Sequence, residues 1–168
     1  MVTEESQSLR DRLARKIAAN PTIKTAMLAE TLGVSEAELF SNWPDDSVRE
    51  VPAVRLEELL HALVPLGELY VICRNGAAVM EVSSAIASFS RSGPWLNVMG
   101  PGLHLHLRPQ QVARIFRVVK KGNSPGESSV SLQLFDPAGN AALKFFLLEG
   151  KCLTAGSDYA ELSARFPG

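Results

Sequence analysis

The hydrophobic pattern of this chain changes its period at Gly67, and the change limits the folds that the sequence can adopt. Before Gly67 the apolar residues recur every three or four positions, which is the spacing of one helix face. After Gly67 they alternate with polar residues, which is typical of half-buried β-strands. Helices and strands in separate blocks predict an α+β fold and argue against a parallel, doubly wound sheet.

Helices are predicted through residues 1–66, because start and stop signals bracket each apolar stripe. The first helix is expected to begin at Ser8, a good N-cap residue. The second is expected to end at Gly33, since glycine commonly follows a helix. The third is expected to begin at Ser35, which forms a capping box with Glu38.

Residues 67–150 are predicted to form an antiparallel meander of about six or more strands. Asn75-Gly76 is expected to make a two-residue hairpin turn, because both residues tolerate a positive φ. A second hairpin is expected at residues 136–140, and a C-terminal helix at residues 155–166.

Length and composition fit one globular domain spanning residues 1–168. A hydrophobic content of 46% and a mean hydropathy of +0.06 exclude a disordered chain. No apolar run approaches the ~20 residues of a membrane span, and the N-terminal segment lacks the apolar centre of a signal peptide. Since there are only two cysteines, far apart, we expect a cytoplasmic protein with reduced thiols and no membrane partner.

Residues 22–43 are similar in spacing to a helix-turn-helix unit. A DNA-binding unit should present basic or amide side chains from its second helix to the base edges. That helix here carries Glu36 and Glu38, and residues 1–60 hold 7 basic against 11 acidic residues, a net charge of −4. Because this charge opposes binding to phosphates, we predict a structural three-helix unit and no nucleic-acid partner.

The segment between Glu81 and Glu127 contains no acidic residue. A positive field of this kind can attract nucleic acid, phosphate or a carboxylate-bearing ligand. A solvated basic face, balanced by the acidic N-terminal part, explains the same charges. The segment contains Arg91, Arg108, Arg114, Arg117, Lys120 and Lys121, together with His104 and His106.

The sequence Leu-His-Leu-His-Leu at residues 103–107 is the sharpest local feature. Side chains alternate along a strand, so the leucines should point one way and both histidines the other. Imidazoles two residues apart can supply two ligands to one zinc ion, or place one ligand over a planar metal complex. Two polar residues on the exposed face of a half-buried strand are the simpler interpretation.

Catalytic motifs are missing from the sequence. It contains no GxSxG, P-loop, GxGxxG or HExxH motif. Cys73 lies in an apolar segment, and we interpret it as a small core residue rather than a nucleophile. No enzyme activity is therefore predicted from motifs.

From residue 69 onward the order of motifs resembles that of a known family. A hairpin whose second strand contains Met-Glu-Val is followed by G-x-W-x-N-x-x-G at residues 93–100. Next come a strand with a central His106, a basic strand at residues 115–121 and a last hairpin at residues 135–147. This order resembles the intracellular haem-utilisation carriers of the HutX/ChuX type, which are related to the duplicated-domain HemS/ChuS haem proteins.

The resemblance implies an α+β homodimer that binds haem in the bacterial cytoplasm. One haem-linked histidine of the family corresponds to His106, the implied axial ligand of the iron. A second family histidine is replaced here by Arg74, so two-histidine ligation by the family pattern is not implied, and His104 is the alternate ligand. Haem propionates need nearby cations. The candidates for the haem pocket are Arg74, Arg108 and Arg114.

The expected function is to buffer imported haem or to pass it from an importer to a haem-degrading enzyme. A haem-degrading enzyme of the HemS/ChuS type is the alternative, and a DNA-binding regulator is a less favoured one. The sequence has no Cys-x-x-Cys-His, which excludes covalent attachment of haem.

Overall fold

The computed structural model describes residues 4–121 and 128–147, so the helix predicted for residues 155–166 lies outside the described residues. The described residues form four α-helices and nine β-strands. All strand pairings are antiparallel, which confirms the predicted α+β class. The helices are α1 (Glu4–Ala19), α2 (Thr25–Leu32), α3 (Glu36–Ser41) and α4 (Leu56–Leu63).

Two of the three predicted helix boundaries are confirmed. Gly33 ends α2 with a φ of 72°, and its N–H bonds back to the last turn. Ser35 caps α3, because its hydroxyl oxygen accepts the N–H of Glu38 at 3.1 Å. The prediction that Ser8 caps the first helix is wrong, since α1 begins at Glu4 and continues through Ser8.

The strands divide between two sheets, where the sequence predicted one meander. The larger sheet has the order β1-β7-β8-β9-β2-β3, and the smaller sheet has the order β4-β5-β6. The strands are β1 (Val48–Val51), β2 (Glu68–Arg74), β3 (Val79–Ala85), β4 (Ser88–Ser92), β5 (Trp95–Gly100), β6 (Leu103–Leu107), β7 (Arg114–Lys121), β8 (Ser128–Phe135) and β9 (Ala141–Leu147).

Two local features differ from the sequence predictions. Strand β1 lies inside the segment that was predicted to be helical, and it pairs with β7 at the edge of the larger sheet. Its four residues are too few to show a period of their own. Cys73, which was interpreted as a core residue, is exposed near the end of β2.

The larger sheet separates two apolar cores, and neighbouring residues of β7 point into different ones. Phe116 lies in the first core with α1, α2 and α3, where its ring is 5.4 Å from Phe40 and 5.6 Å from Phe135. Ile115 lies in the second core with α4 and the inner face of the smaller sheet. The layers therefore run from α1–α3, through the larger sheet, to α4 and the smaller sheet.

Both predicted hairpins form, but the first has a different turn. The chain reverses over residues 75–78, and the Asn75 Oδ1 accepts the backbone N–H groups of Ala77 and Ala78. Gly76 does not take a positive φ, so the predicted two-residue Asn-Gly turn is wrong. In the second hairpin Gly139 has a φ of 83°, and its carbonyl accepts the N–H of Ala37 at the start of α3.

A buried ion pair ties α3 to the larger sheet. Lys144 Nζ on β9 and Glu36 Oε1 are 2.5 Å apart, and both side chains are less than one-tenth exposed. The same Oε1 accepts the hydroxyl of Thr25 at 2.5 Å. Burial lowers the pKa of Lys144 although Glu36 opposes the shift. Because Glu36 points into the sheet and α3 buries most of its residues, the helix lacks the basic outward surface of a DNA-reading helix.

Candidate functional site

The face of the smaller sheet that points away from the second core is the candidate site, and we call it the outer face. Leu103 and Leu107 of β6 are buried in the second core, whereas His104 and His106 between them are exposed. The predicted separation of leucines and histidines is confirmed. The outer face is defined by Ser88, Ser90, Ser92, Trp95, Asn97, Met99, His104 and His106.

A row of hydrogen bonds crosses the outer face at His106. Strand register places Asn97 opposite His106 on one side and opposite Ser90 on the other. The Nδ1 atom of His106 is 2.7 Å from Asn97 Oδ1. The Nδ2 atom of Asn97 donates to Ser90 Oγ at 3.1 Å. The row therefore links side chains from three strands, and Asn97 holds the imidazole at one ring nitrogen.

His104 shares this face but has a different neighbour. Its partner across the strand pair is Met99, which offers no amide or carboxylate group. Within the described part of the chain, no hydrogen bond to the His104 ring is found. Both histidines are thus exposed, and among the described side chains a neighbour holds only His106.

An aromatic ring and a cation lie beside the histidines. Trp95 opens β5 and is 39% exposed, which is unusual for a side chain of its size. The guanidinium of Arg108, directly after β6, lies 5.4 Å from the centre of the Trp95 ring. Such a contact combines an apolar surface with a positive charge that remains available to a carboxylate.

Arg74 and Arg114 lie on the other sheet, on its helical side. Arg114 donates to both carboxylate oxygens of Glu50, at 2.7 and 2.6 Å, and these hydrogen bonds raise its pKa. Arg74 follows Ile72 by two residues, and Ile72 pairs with Lys144, whose side chain points toward α3. One chain therefore does not bring either arginine to the face of His106.

The acid-free segment does not form one basic surface. Arg91 pairs with Glu57 of α4, and Lys120 donates to the carbonyls of Thr22 and Ile23 between α1 and α2. Burial lowers the pKa of Lys120. These cations are engaged within the fold, and Arg108 is the arginine of the segment that lies beside the histidines.

Sequence reasoning missed Asn97 and Ser90 as parts of the site. The G-x-W-x-N-x-x-G motif draws attention to Asn97. The motif does not show which residue of the neighbouring strand lies opposite Asn97. Pairing with His106 depends on the register of β5 and β6, and sequence does not fix that register. Ser90 has no signal at all.

Other kinds of site find little support in the residues that the structure describes. Within residues 4–121 and 128–147, no three His, Cys, Asp or Glu side chains are placed to hold a metal ion together. The zinc interpretation of the two histidines therefore lacks further ligands in this part of the chain. None of the described helices has the length and apolar character needed to cross a membrane.

Fold and site together define an α+β domain with an imidazole and a guanidinium on an open sheet face. The chain belongs to the family described as the haemin-degrading HemS.ChuX domain, whose model matches residues 33–166. This match confirms the family resemblance that the sequence predicted.

Three relatives illustrate the range of this family. The intracellular heme transport protein HutX of Vibrio cholerae serotype O1 is 25% identical over 143 residues, which cover 84% of this chain and 73% of HutX. The heme binding protein ChuX has a TM-score of 0.75 at 20% identity, with 94% of this chain and 97% of ChuX covered. The heme degrading enzyme ChuS of Escherichia coli O157:H7 has a TM-score of 0.78 at 28% identity; the match covers 96% of this chain but 47% of ChuS.

Proposed function

We propose that the protein is a carrier that binds haem non-covalently in the bacterial cytoplasm and transfers it to another protein. Its family supports the proposal, as do the names of HutX and ChuX. The observation that carries it is the exposed imidazole of His106, which is held at Nδ1 while no described residue hydrogen-bonds its Nε2.

The outer face offers groups that suit the parts of haem. Haem needs an axial donor for its iron, an apolar surface for its ring and cations for its propionates. His106 is the proposed axial ligand, with His104 as the alternate. Trp95 provides the apolar surface, and Arg108 provides a cation beside it.

A second copy of the chain is proposed to complete the pocket. A single sheet face covers one side of the haem disc and leaves the other side in water. Half of the apolar surface of the ligand then contributes nothing to binding. Arg74 and Arg114 lie on the far side of the larger sheet from His106, so only another copy could present either of them to the same haem. Arg74 is the proposed contact from that copy, since Arg114 is already held by Glu50. A homodimer is therefore part of the proposal.

The test is a hemin titration of the purified protein followed through the Soret band, with each of its three histidines replaced in turn. The wild type is expected to show a saturable shift at about one haem per chain, because one outer face offers one held imidazole. His106→Ala should lose the shift. His61→Ala is the matched control, since His61 is exposed on α4 and its ring lies tilted against Phe89, with the ring centres 4.1 Å apart. An unchanged titration in His106→Ala, with loss in His104→Ala, would reassign the ligand. No loss in either variant would overturn the site.

Haem degradation is the second candidate function. It is favoured by the similarity to ChuS, of which this chain covers about half. Incubation of the haem complex with ascorbate separates the candidates. A Soret band that persists, with no biliverdin-like product, supports the carrier. Loss of the band with appearance of such a product identifies a degrading enzyme.

Transfer requires a recipient, and a haem-degrading enzyme or a component of the importer is proposed for this role. The expected recipient takes haem faster from the carrier than from free solution at equal concentration. Equal rates would argue against direct transfer.

A further inference from the structure

We infer that Asn97, itself oriented by Ser90, positions His106 by fixing which ring nitrogen carries the hydrogen. The inference rests on the proposed function insofar as His106 is the axial ligand of haem. It assigns to the row Ser90–Asn97–His106 a role that neither the family match nor the names of the relatives describe.

The orientation of the Asn97 amide is the first step. An amide has one donating end and one accepting end, and the two ends are opposite each other. Because Nδ2 donates to Ser90 Oγ, the carbonyl oxygen Oδ1 is the end that faces His106. In this orientation Ser90 Oγ accepts from the amide nitrogen, and the bond holds the carbonyl oxygen toward the imidazole.

The state of the imidazole follows from this orientation. A carbonyl oxygen only accepts hydrogen bonds, so Nδ1 of His106 must donate across the 2.7 Å that separates it from Oδ1. A neutral imidazole has one N–H group, and Nε2 then carries the lone pair. A metal ion binds a lone pair, so the outward nitrogen of His106 is the one prepared to bind iron.

Within the described residues, His104 lacks the hydrogen bond that orients His106, so the two histidines differ as candidate ligands of the iron. His104 faces Met99, and no described side chain fixes its tautomer or its ring orientation. The ring of His106 is already ordered in the folded protein, so binding a metal there loses less conformational entropy. Partners of this kind are typically worth 10–100-fold in metal affinity.

Four variants separate the steps of the argument. Asn97→Leu keeps a similar shape but removes the acceptor, whereas Asn97→Asp keeps an acceptor toward Nδ1. Ser90→Ala leaves the acceptor in place but frees the amide to turn over. Ser88→Ala is the matched control, since Ser88 lies on the same strand and the same face but opposite Met99.

The first measurement uses the protein without haem, so it does not depend on the proposed function. Nitrogen-15 NMR of the imidazole distinguishes an N–H nitrogen from one with a lone pair. The wild type, Asn97→Asp and Ser88→Ala should show the lone pair of His106 on Nε2. Asn97→Leu should lose this preference, and Ser90→Ala should show a mixture. A wild-type ring with its hydrogen on Nε2, or an unchanged ring in Asn97→Leu, would overturn the inference.

The second measurement is the affinity for hemin and the Soret position of the same variants. Asn97→Leu should bind hemin about 10–100-fold more weakly, with rescue by Asn97→Asp and no change in Ser88→Ala. If His106→Ala loses haem while Asn97→Leu retains wild-type affinity, the positioning role is refuted and the proposed function stands. If His106→Ala retains haem, the proposed ligand is refuted, and any role of Asn97 toward haem falls with it.

Discussion

Removing one partner of the buried Glu36–Lys144 ion pair is expected to destabilise the fold strongly, whereas removing both charges is expected to cost little. The two side chains are 7% and 8% exposed, and Nζ and Oε1 are 2.5 Å apart. Breaking such a pair typically costs about 3–5 kcal/mol, because one buried charge is left uncompensated. Replacing both partners removes that charge, and the desolvation that lowers the pKa of Lys144 disappears with it.

The chemistry of lysine sets an upper limit on the cost of Glu36→Gln. In this variant the amine can avoid a buried charge by releasing its proton. Holding it neutral at pH 7 costs at most about 4.8 kcal/mol, since the ordinary lysine pKa of 10.5 lies 3.5 units higher at 1.36 kcal/mol per unit. We therefore expect a loss of about 3–4.8 kcal/mol. At about 3 °C per kcal/mol for a chain of this length, Tm should fall by about 9–14 °C.

Glu36→Gln should gain stability relative to the wild type as the pH rises. Burial lowers the pKa of Lys144 in the native state, and the variant lacks the carboxylate that opposes this shift. The unfolded chain then binds more protons than the native state below about pH 10.5, so stability rises with pH over this interval. Raising the pH from 7 to 9 should restore at most about 2.7 kcal/mol relative to the wild type.

Urea unfolding at pH 6, 7 and 9 tests this reasoning, with both single variants and Glu36→Gln/Lys144→Met in a double-mutant cycle. The glutamine still offers an acceptor to Thr25 in the double variant. Asp46→Asn is the control, because the Asp46–Arg49 pair is solvent-exposed and should contribute less than about 1 kcal/mol. A Glu36→Gln deficit below about 1 kcal/mol, or one that does not change with pH, would refute the argument. So would a double variant whose loss equals the sum of the single losses.

Three glycines allow further predictions from thermal or urea unfolding. Gly139→Ala should lower the free energy of unfolding by about 2 kcal/mol or more, because a Cβ would lie 2.4 Å from Ser35 Oγ at a φ of 83°. Gly102→Ala is the comparison, since Gly102 has a similar φ of 78° but open space around it. This variant should cost only the backbone strain of about 1 kcal/mol. Gly100→Ala should cost at least about 3 kcal/mol, because its Cβ would lie 1.8 Å from the carbonyl oxygen of Ala85 where the two sheets meet. Equal losses for the two positive-φ glycines, or a neutral Gly100→Ala, would contradict the respective contact.

The fold class could be predicted from the sequence because it depends on periodicity, which is local. The change of period at Gly67 separates helices from strands, and capping residues such as Ser35 mark boundaries by bonding to their own neighbours. Ser8 misled the boundary prediction because a capping residue type is equally compatible with a position inside a helix. The order of motifs carried the family assignment, since no single motif was specific enough.

The arrangement of the layers could not be predicted, because it depends on which face of each strand meets which partner. In β7 the residues from Ile115 to Val118 are all buried, so its alternation does not show an exposed side. Strand β1 pairs there through residues more than 60 positions away in sequence. For the same reason the pairing of Asn97 with His106 could not be predicted, although both residues belong to motifs that the sequence shows.

The layers also support the outer face as the proposed surface for a ligand. On the helical side of the larger sheet, Arg114 is held by Glu50 and Lys144 by Glu36, so ligand binding there would first have to break an existing ion pair. On the outer face, Arg108 rests on an aromatic ring rather than on a carboxylate, and His106 is held only at one nitrogen. Cations that cannot be distinguished in the sequence thus differ in whether they remain available to a ligand. A ligand that needs both a lone pair and a cation finds both on the outer face without displacing an internal partner.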